Sequence, residues 1–403
     1  MSNKIILSED QEIVVSKVLD WYNNISESDN VEKAYITLGG YAGTGKSTIQ
    51  RFIRDRLGDE TVVGFVSLTG KAVNVMDKKL RGCLRQKDSL STLHSFMYHP
   101  IIDDYDNVTG WELKLMAKDF DNTNPDLAPY VDVFINDEAS MTGRDLFKDL
   151  SSYNKPMIFI GDHAQLPPIS GELNLMENPE LRLEKVHRHS EENPILYLAT
   201  KARAGKLIPF ESFSSKVKKL TRVEAQKDDR INELLEDRTN NTCVLTPYNN
   251  TRVNINRLVR KRYDLNRDSP AVGDKIICLR NDRRSGIYNG MIGVILELKP
   301  SKMAPDLNYT MKIKADDRLY NNLEVAKYHF NFNPKTDPKP AFTNLDYRDL
   351  GTLWDYGYAM TTHKAQGSQF KSVIIWGEAW PAIRNRWLYT AITRAQEELY
   401  IIN

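Results

Sequence analysis

The sequence predicts an α/β protein of two tandem domains, each a parallel sheet with crossover helices and each interrupted by a β-rich insertion. Three observations predict this. Short apolar, β-rich runs fall into two groups along the 403 residues. Helix-like stretches separate the runs, the alternation that parallel sheets with crossover helices produce. The runs are also near-continuously apolar, as strands covered on both faces should be.

The first group comprises AYITLGG (34–40), TVVGFVSL (61–68), YVDVFIND (130–137) and KPMIFIGD (155–162). The second comprises TCVLTPY (242–248), YGYAMTTH (356–363), KSVIIWGE (371–378) and ELYII (398–402). Two segments break the alternation. Within 97–130, IIDDYDNVTGWELKLM holds two β-like runs around Asn107–Gly110, which reads as a hairpin turn, and Asn124-Pro125-Asp126 reads as a loop. Residues 281–350 alternate short strands (GMIGVILELK, YTMKIKA, VAKYHFNF) with polar loops, among them NPKTDPKP (333–340). That is the texture of a small β-barrel inserted between strands of the second domain. The expected boundaries are therefore 1–96 with 131–185 for the first domain and 97–130 for its hairpin insertion. The second domain takes 186–280 with 351–403, and its barrel insertion takes 281–350.

Composition narrows the class only loosely. Hydrophobic residues are 41% and charged residues 27%, ordinary for a globular protein. The formal net charge is +1, so any nucleic-acid surface must be local. Cys83, Cys243 and Cys278 are scattered without a CxxC, which argues against a disulfide framework or a zinc site and fits a reducing compartment. The N-terminus does not read as a signal peptide, and no apolar stretch approaches the roughly 18 residues of a membrane helix. A cytoplasmic protein without a membrane partner is expected.

The strongest local signal is Gly40-Tyr-Ala-Gly-Thr-Gly-Lys46-Ser47, which follows a strand pattern and precedes the helix pattern STIQRFIRDRL. In a phosphate-binding loop of this GxxxxGKS form, glycines let backbone N–H groups close round phosphates and the helix N-terminus adds its positive dipole end. Lys46 reaches the phosphates and the Ser47 hydroxyl ligates Mg²⁺. Gly43, Thr44, Gly45 and Thr48 complete the cradle. Asp137 and Glu138 end the run VFIN, at the carboxyl end of a buried strand where ligands of parallel sheets sit. Nucleotide hydrolysis needs one carboxylate on Mg²⁺ and one group to orient or deprotonate water, roles that Asp137 and Glu138 fit in turn. GDHAQLPPI (161–169) ends a third strand. Its Gln165 can sense a γ-phosphate, although the segment alone reads equally well as an Asx-type turn with a Pro-stiffened loop.

Taken in order, GYAGTGKS, NDEAS and GDHAQLPPI resemble motifs I, II and III of superfamily-1 helicases. LSEDQ (7–11) resembles the adenine-reading Q motif, SLTGKAVNVM (67–76) motif Ia, STLHSF (91–96) motif Ib and VHR (186–188) the motif-IV arginine segment. YAMTTHKAQGSQF (358–370) resembles motif V and LYTAITRAQEELYII (388–402) motif VI. The TGKA, THKAQG and TAITRA spellings are similar to the 5′→3′ branch, near RecD-like and phage Dda-like helicases. IYNGMIGVI (287–295) resembles RecD-like sequence in the barrel.

The resemblance implies two tandem RecA-like P-loop domains, with a pin hairpin in the first and a small SH3-like β-barrel in the second. It implies ATP as substrate, Mg²⁺ as cofactor, and single-stranded DNA and single-strand/duplex junctions as partners. Gln11 would read adenine, Gln165 would couple the γ-phosphate to movement, and Arg188 and Arg394 would be arginine fingers from the second domain. Gly367 would let the backbone approach nucleotide or strand. Strand contacts would come from Thr69 and Lys71, Thr92 and His94, Tyr248 and Asn249, and Thr362, His363 and Lys364. Trp111, beside the hairpin turn, would either meet the last base pair or pack the hairpin on its own domain. Leu68 departs from the family, which often has proline before the motif-Ia threonine. The chain is expected to be a monomer of minimal, phage-like size, working with a single-strand-binding protein or replication proteins. Alternatives of other kinds are a DNA translocase that strips proteins with little unwinding, an RNA helicase, and a nucleotide switch without a motor.

Overall fold

The computed structural model describes residues 6–26, 34–102, 108–120, 124–168, 173–185, 193–239, 241–265, 269–282, 285–315, 318–331, 350–379 and 381–403. They form two compact units, the first built from Met1–Ile101 and Gly110–Asn193 and the second from Ile102–Thr109 and Pro194–Asn403.

The first unit runs α1 (Glu9–Ser26), β1 (Tyr35–Gly40), α2 (Lys46–Arg56), β2 (Val63–Ser67), α3 (Gly70–Leu80), β3 (Ser89–Thr92) and α4 (Leu93–Met97). A hairpin of β4 (Tyr98–Ile102) and β5 (Val108–Leu113) follows, then β6 (Val133–Asp137), α5 (Arg144–Ser151), β7 (Met157–Gly161) and β8 (Leu181–Leu183). The main sheet has the order β3-β2-β6-β7-β1-β8, with parallel pairings throughout. Its four central strands are the four apolar runs of the first group. Leu38, Ile135, Ile158 and Ile160 pack with Val15 and Val18 of α1 and Ile49 and Ile53 of α2. Phe134 and Phe159 pack with Phe96, Met97 and Leu150. Two separate clusters on one sheet are the covering on both faces that unalternating runs require.

The second unit runs α6 (Pro194–Arg203), β9 (Ser212–Ser214), β10 (Val217–Leu220), α7 (Arg222–Lys227), α8 (Asp229–Leu235), β11 (Thr242–Thr246) and α9 (Asn249–Arg262). Next come β12 (Lys275–Cys278), β13 (Ile292–Pro300), β14 (Asn308–Ala315), β15 (Arg318–Ala326) and β16 (Trp354–Tyr356). The unit closes with β17 (Ala359–Thr361), β18 (Phe370–Trp376), α10 (Arg384–Ile392) and β19 (Ala395–Ile402). One sheet has the order β17-β11-β18-β19-β10-β9, parallel except for the antiparallel β10–β9 edge. The other, β15-β14-β13-β12-β16, is antiparallel.

That antiparallel sheet is wider than the expected 281–350. β12 and β16 lie outside those bounds and pair with each other, Ile276 opposite Tyr356 and Cys278 opposite Trp354. They are short and wholly buried, so they resemble core of the parent domain in sequence while serving as the insertion's inner strands. The NPKTDPKP run lies outside the described residues. Among the described residues no helix is long and apolar enough to cross a membrane.

Candidate active site

The loop between β1 and α2 has the backbone its glycines permit. Gly43 and Gly45 sit at φ 86° and 87°, in the left-handed region that glycine enters without steric cost. A Cβ at Gly45 would also lie 2.3 Å from Gln11 Nε2, so any side chain there would push aside the end of Gln11. Gln11, on α1, donates that Nε2–H to Thr44 O at 3.0 Å and accepts from Ser8 N at 3.1 Å. The Q-motif residue thus holds the phosphate loop directly. Thr44 is fully buried, and its hydroxyl donates to Tyr41 O at 2.9 Å. Lys46 Nζ donates to Gly40 O at 2.7 Å and Tyr41 O at 3.0 Å.

Three loops leave neighbouring strands at their carboxyl ends, since the sheet order runs β6-β7-β1. Asp137 ends β6. Glu138 follows at φ 54° and ψ 39°, a left-handed conformation that costs a residue with a Cβ on the order of 1 kcal/mol. Such strain in a carboxylate at a strand end marks a position held for geometry rather than for stability. Beyond β7, the buried Asp162 accepts from Ala164 N at 3.0 Å, an Asx turn, and from Gln165 Nε2 at 3.3 Å. Its Oδ2 lies 4.0 Å from Lys46 Nζ. The Gln165 side chain is buried, and its Oε1 has no hydrogen-bond partner among the described residues.

Three residues join this site that the motifs do not single out. Asp162 faces Lys46, and its signal was a carboxylate directly after an apolar strand. Lys79 of α3 donates to Ser47 Oγ at 2.9 Å across 32 residues, a contact with no local sequence signal. His163 packs against Tyr41 of the phosphate loop, ring centroids 4.3 Å apart. The oxygens of Ser47 and Asp137 are the hard donors that Mg²⁺ takes, and Ser47 Oγ already accepts from a cationic group. Among the described residues no group of three or more His, Cys, Asp or Glu could hold a metal alone, so an ion here would lean on substrate phosphate and water.

Two expected strand contacts serve as helix caps. Thr69 Oγ1 accepts from Ala72 N at 3.2 Å and Thr92 Oγ1 from Ser95 N at 3.1 Å, which leaves each hydroxyl proton to donate elsewhere. Lys71 is half-buried on α3, and His94 is exposed with its ring 5.7 Å from Tyr98. In the second unit, Tyr248 precedes α9 and Asn249 accepts from Arg252 Nε at 3.3 Å. Thr362 is wholly buried, so its side chain does not meet solvent as a surface contact would; His363 is half-buried and Lys364 exposed. Burial pushes the His363 imidazole below its usual range. Gly367 takes φ 73°, which explains the glycine. Arg394 is buried and donates to Thr390 O at 3.1 Å, Ser368 O at 3.2 Å and Thr393 Oγ1 at 3.1 Å, tying the motif-VI helix end to the motif-V loop. Arg188 lies outside the described residues. Trp111, on β5, is 63% exposed, so it does not pack the hairpin as core.

Residues 25–225 match the family model described as an AAA domain, and residues 356–402 match the UvrD-like helicase C-terminal domain. The chain is 25% identical over 391 residues to the ATP-dependent RecD2 DNA helicase of Deinococcus radiodurans, covering 91% of this chain and 46% of that protein. It is 32% identical over 198 residues to the ATP-dependent DNA helicase Dda of Enterobacteria phage T4, covering 46% of this chain and 41% of that one. The chain spans less than half the length of these curated relatives. Among solved structures, a Pif1 helicase from Bacteroides in complex with ADP-AlF3 and single-stranded DNA aligns with TM-score 0.54 at 18% identity, over 99% of this chain and 92% of that one. A structure of two coordinating Pif1 helicases at forked duplex DNA aligns at 0.56 and 17% identity, over 98% and 92%. Two parallel-sheet RecA-like domains with an antiparallel insertion sheet therefore form a Pif1-like fold. With motifs and fold in agreement, the chain belongs to the superfamily-1 helicases, in the RecD-like and Dda-like 5′→3′ branch.

Proposed function

We propose that this chain is an ATP- and Mg²⁺-dependent DNA helicase that moves 5′→3′ on single-stranded DNA and separates duplex at single-strand/duplex junctions. The observation that carries the reading is the convergence at the ends of β6, β7 and β1: the Asp137–Glu138 pair, the Asp162–Gln165 turn and the Lys46 loop leave adjacent strands. In this reading Lys46 exchanges the carbonyls of Gly40 and Tyr41 for β- and γ-phosphate oxygens. Asp162 keeps its ammonium aimed into the site. Ser47 and Asp137 would hold Mg²⁺, which when bound neutralises phosphate charge. Glu138 orients the attacking water and takes its proton. Gln165, bonded through one end of its amide and open at the other, is suited to report the γ-phosphate to the rest of motif III.

Arg188 and Arg394 are the arginine fingers of the proposal. For Arg394 this requires its guanidinium to trade the carbonyls of Thr390 and Ser368 for phosphate oxygens, which would loosen motif VI from motif V as hydrolysis proceeds. The β4–β5 hairpin acts as the strand-separating pin, with Trp111 as its exposed ring. The antiparallel sheet closes into a small SH3-like barrel that braces the strand. Thr69, Lys71, Thr92, His94, Tyr248, Asn249, His363 and Lys364 contact the strand through its phosphates and base faces, which carry no sequence information. The test is ATP hydrolysis with and without oligothymidylate. Stimulation by the oligonucleotide, abolished in Lys46→Ala, is expected. Hydrolysis indifferent to DNA would favour a nucleotide switch.

A further inference from the structure

We propose that the second unit carries a docking pocket for an acidic segment of a partner protein, which seats one large apolar side chain in it. The inference does not rest on the motor reading. A cavity of about 440 Å³ opens between α7, α8 and the C-terminal half of α9, with Val244 of β11 and Ile374 of β18 in its floor. That volume lies within the range of ligand sites, and water held over such a floor faces mainly carbon, so filling the cavity is favourable.

The rim decides what fills it. Arg222, Lys261 and Arg262 line the cavity, and none of its lining residues is acidic. α9, NNTRVNINRLVRKR, contains no carboxylate at all. Its Arg260 is turned inward onto Asp274, whereas Lys261 and Arg262 are exposed. Arg222 lies 4.9 Å from the Trp376 ring centroid. The nearby Glu378 is already held by Arg222 at 3.1 Å, Trp376 Nε1 at 2.6 Å and Thr251 Oγ1 at 2.8 Å. It fixes the Arg222–Trp376 edge, while Lys261 and Arg262 face an incoming anion, Arg262 keeping further N–H donors beyond the one it gives Asn232 Oδ1 at 2.8 Å. Lys261 and Arg262 at the end of α9 are the cations facing the apolar hole, and Arg222 at the start of α7 borders it as the paired partner of Glu378. Several separated carboxylates flanking one apolar group match that layout, as an acidic peptide provides. A single-headed fatty anion would use one cation only. Lys261 and Arg262 stand about 20 Å along α9 from Tyr248 and Asn249, whereas the Arg222–Trp376 edge reaches Thr251, near the start of α9, through Glu378; a partner held by Lys261 and Arg262 approaches from the far end of the helix.

The test uses the full chain and a fluorescein-labelled peptide of alternating Asp and Glu with one central Phe, read by anisotropy. Saturable binding is expected, weakened about tenfold by the exposed double variant Lys261→Glu/Arg262→Glu and by replacing the peptide's Phe with Ser. DNA-stimulated ATP hydrolysis by that variant should match the parent. The proposal is overturned by absence of saturable binding, by equal binding of the variant or of the Ser peptide, or by stoichiometric displacement by oligothymidylate, which would place the peptide on the strand path. Binding of dodecanoate in place of the peptide would also contradict it.

Discussion

The Arg260 guanidinium makes two hydrogen bonds to the Asp274 carboxylate, at 2.9 Å from Nε and 3.0 Å from Nη2, with both side chains buried. Tyr358 OH donates to the same carboxylate at 3.0 Å, and Ala271 N donates to it at 2.8 Å. One ion pair thus joins α9, the entry to the antiparallel sheet and the first residue of motif V. Asn256, one turn earlier on α9, donates to Tyr356 O at 3.2 Å and accepts from Ala359 N at 2.8 Å, pinning the exit from that sheet. The insertion is therefore fixed to its parent domain by polar side chains of a single helix.

Removing one partner of that pair leaves a buried charge uncompensated. Asp274→Ala is expected to destabilise the chain by about 3–5 kcal/mol. The paired change Arg260→Met with Asp274→Leu should cost much less. Urea unfolding of the three proteins checks this, and equal losses in both variants would show that the ion pair itself is not the source.

Asp162 has a function separable from fold. Asp162→Asn keeps an oxygen for Ala164 N but removes the negative charge 4.0 Å from Lys46 Nζ. Misdirecting the ammonium by about 1 Å should lower kcat about 10²-fold. Steady-state ATP hydrolysis measures it, with thermal unfolding as the control for folding.

Glu138 combines strain with chemistry. Glu138→Gln should lower hydrolysis by about 10²–10⁴ while nucleotide still binds. Glu138→Gly should be equally inactive but more stable by about 1 kcal/mol, because glycine relieves the φ of 54°. A stability loss in the glycine variant would refute the strain argument.

Trp111 is exposed, so Trp111→Ala should change stability by no more than about 0.5 kcal/mol. Duplex separation should fall while DNA-stimulated hydrolysis persists. Loss of both activities would remove Trp111 from the pin role.

Much of this was legible in the sequence because the central strands are apolar throughout and their loops carry the chemistry. Lys46 and Gln165 follow β1 and β7, and Asp137 ends β6, as their runs predict. The short strands β3, β8 and β9 were not legible: three or four residues at a sheet edge carry too little pattern to stand out from a loop. β12 and β16 misled by being buried, which made the insertion look narrower. The Lys79–Ser47 bond was invisible because it joins two helices through space. Thr69 and Thr92 were found for their motif positions, yet their capping bonds explain them first as helix starts.

The most direct test of the account is strand separation on two partial duplexes, one with a 5′ single-stranded tail and one with a 3′ tail, in ATP and Mg²⁺. Unwinding of the 5′-tailed duplex alone, lost in Lys46→Ala, is expected. Unwinding from the 3′ tail, or none from either while single-stranded DNA still stimulates hydrolysis, would contradict it.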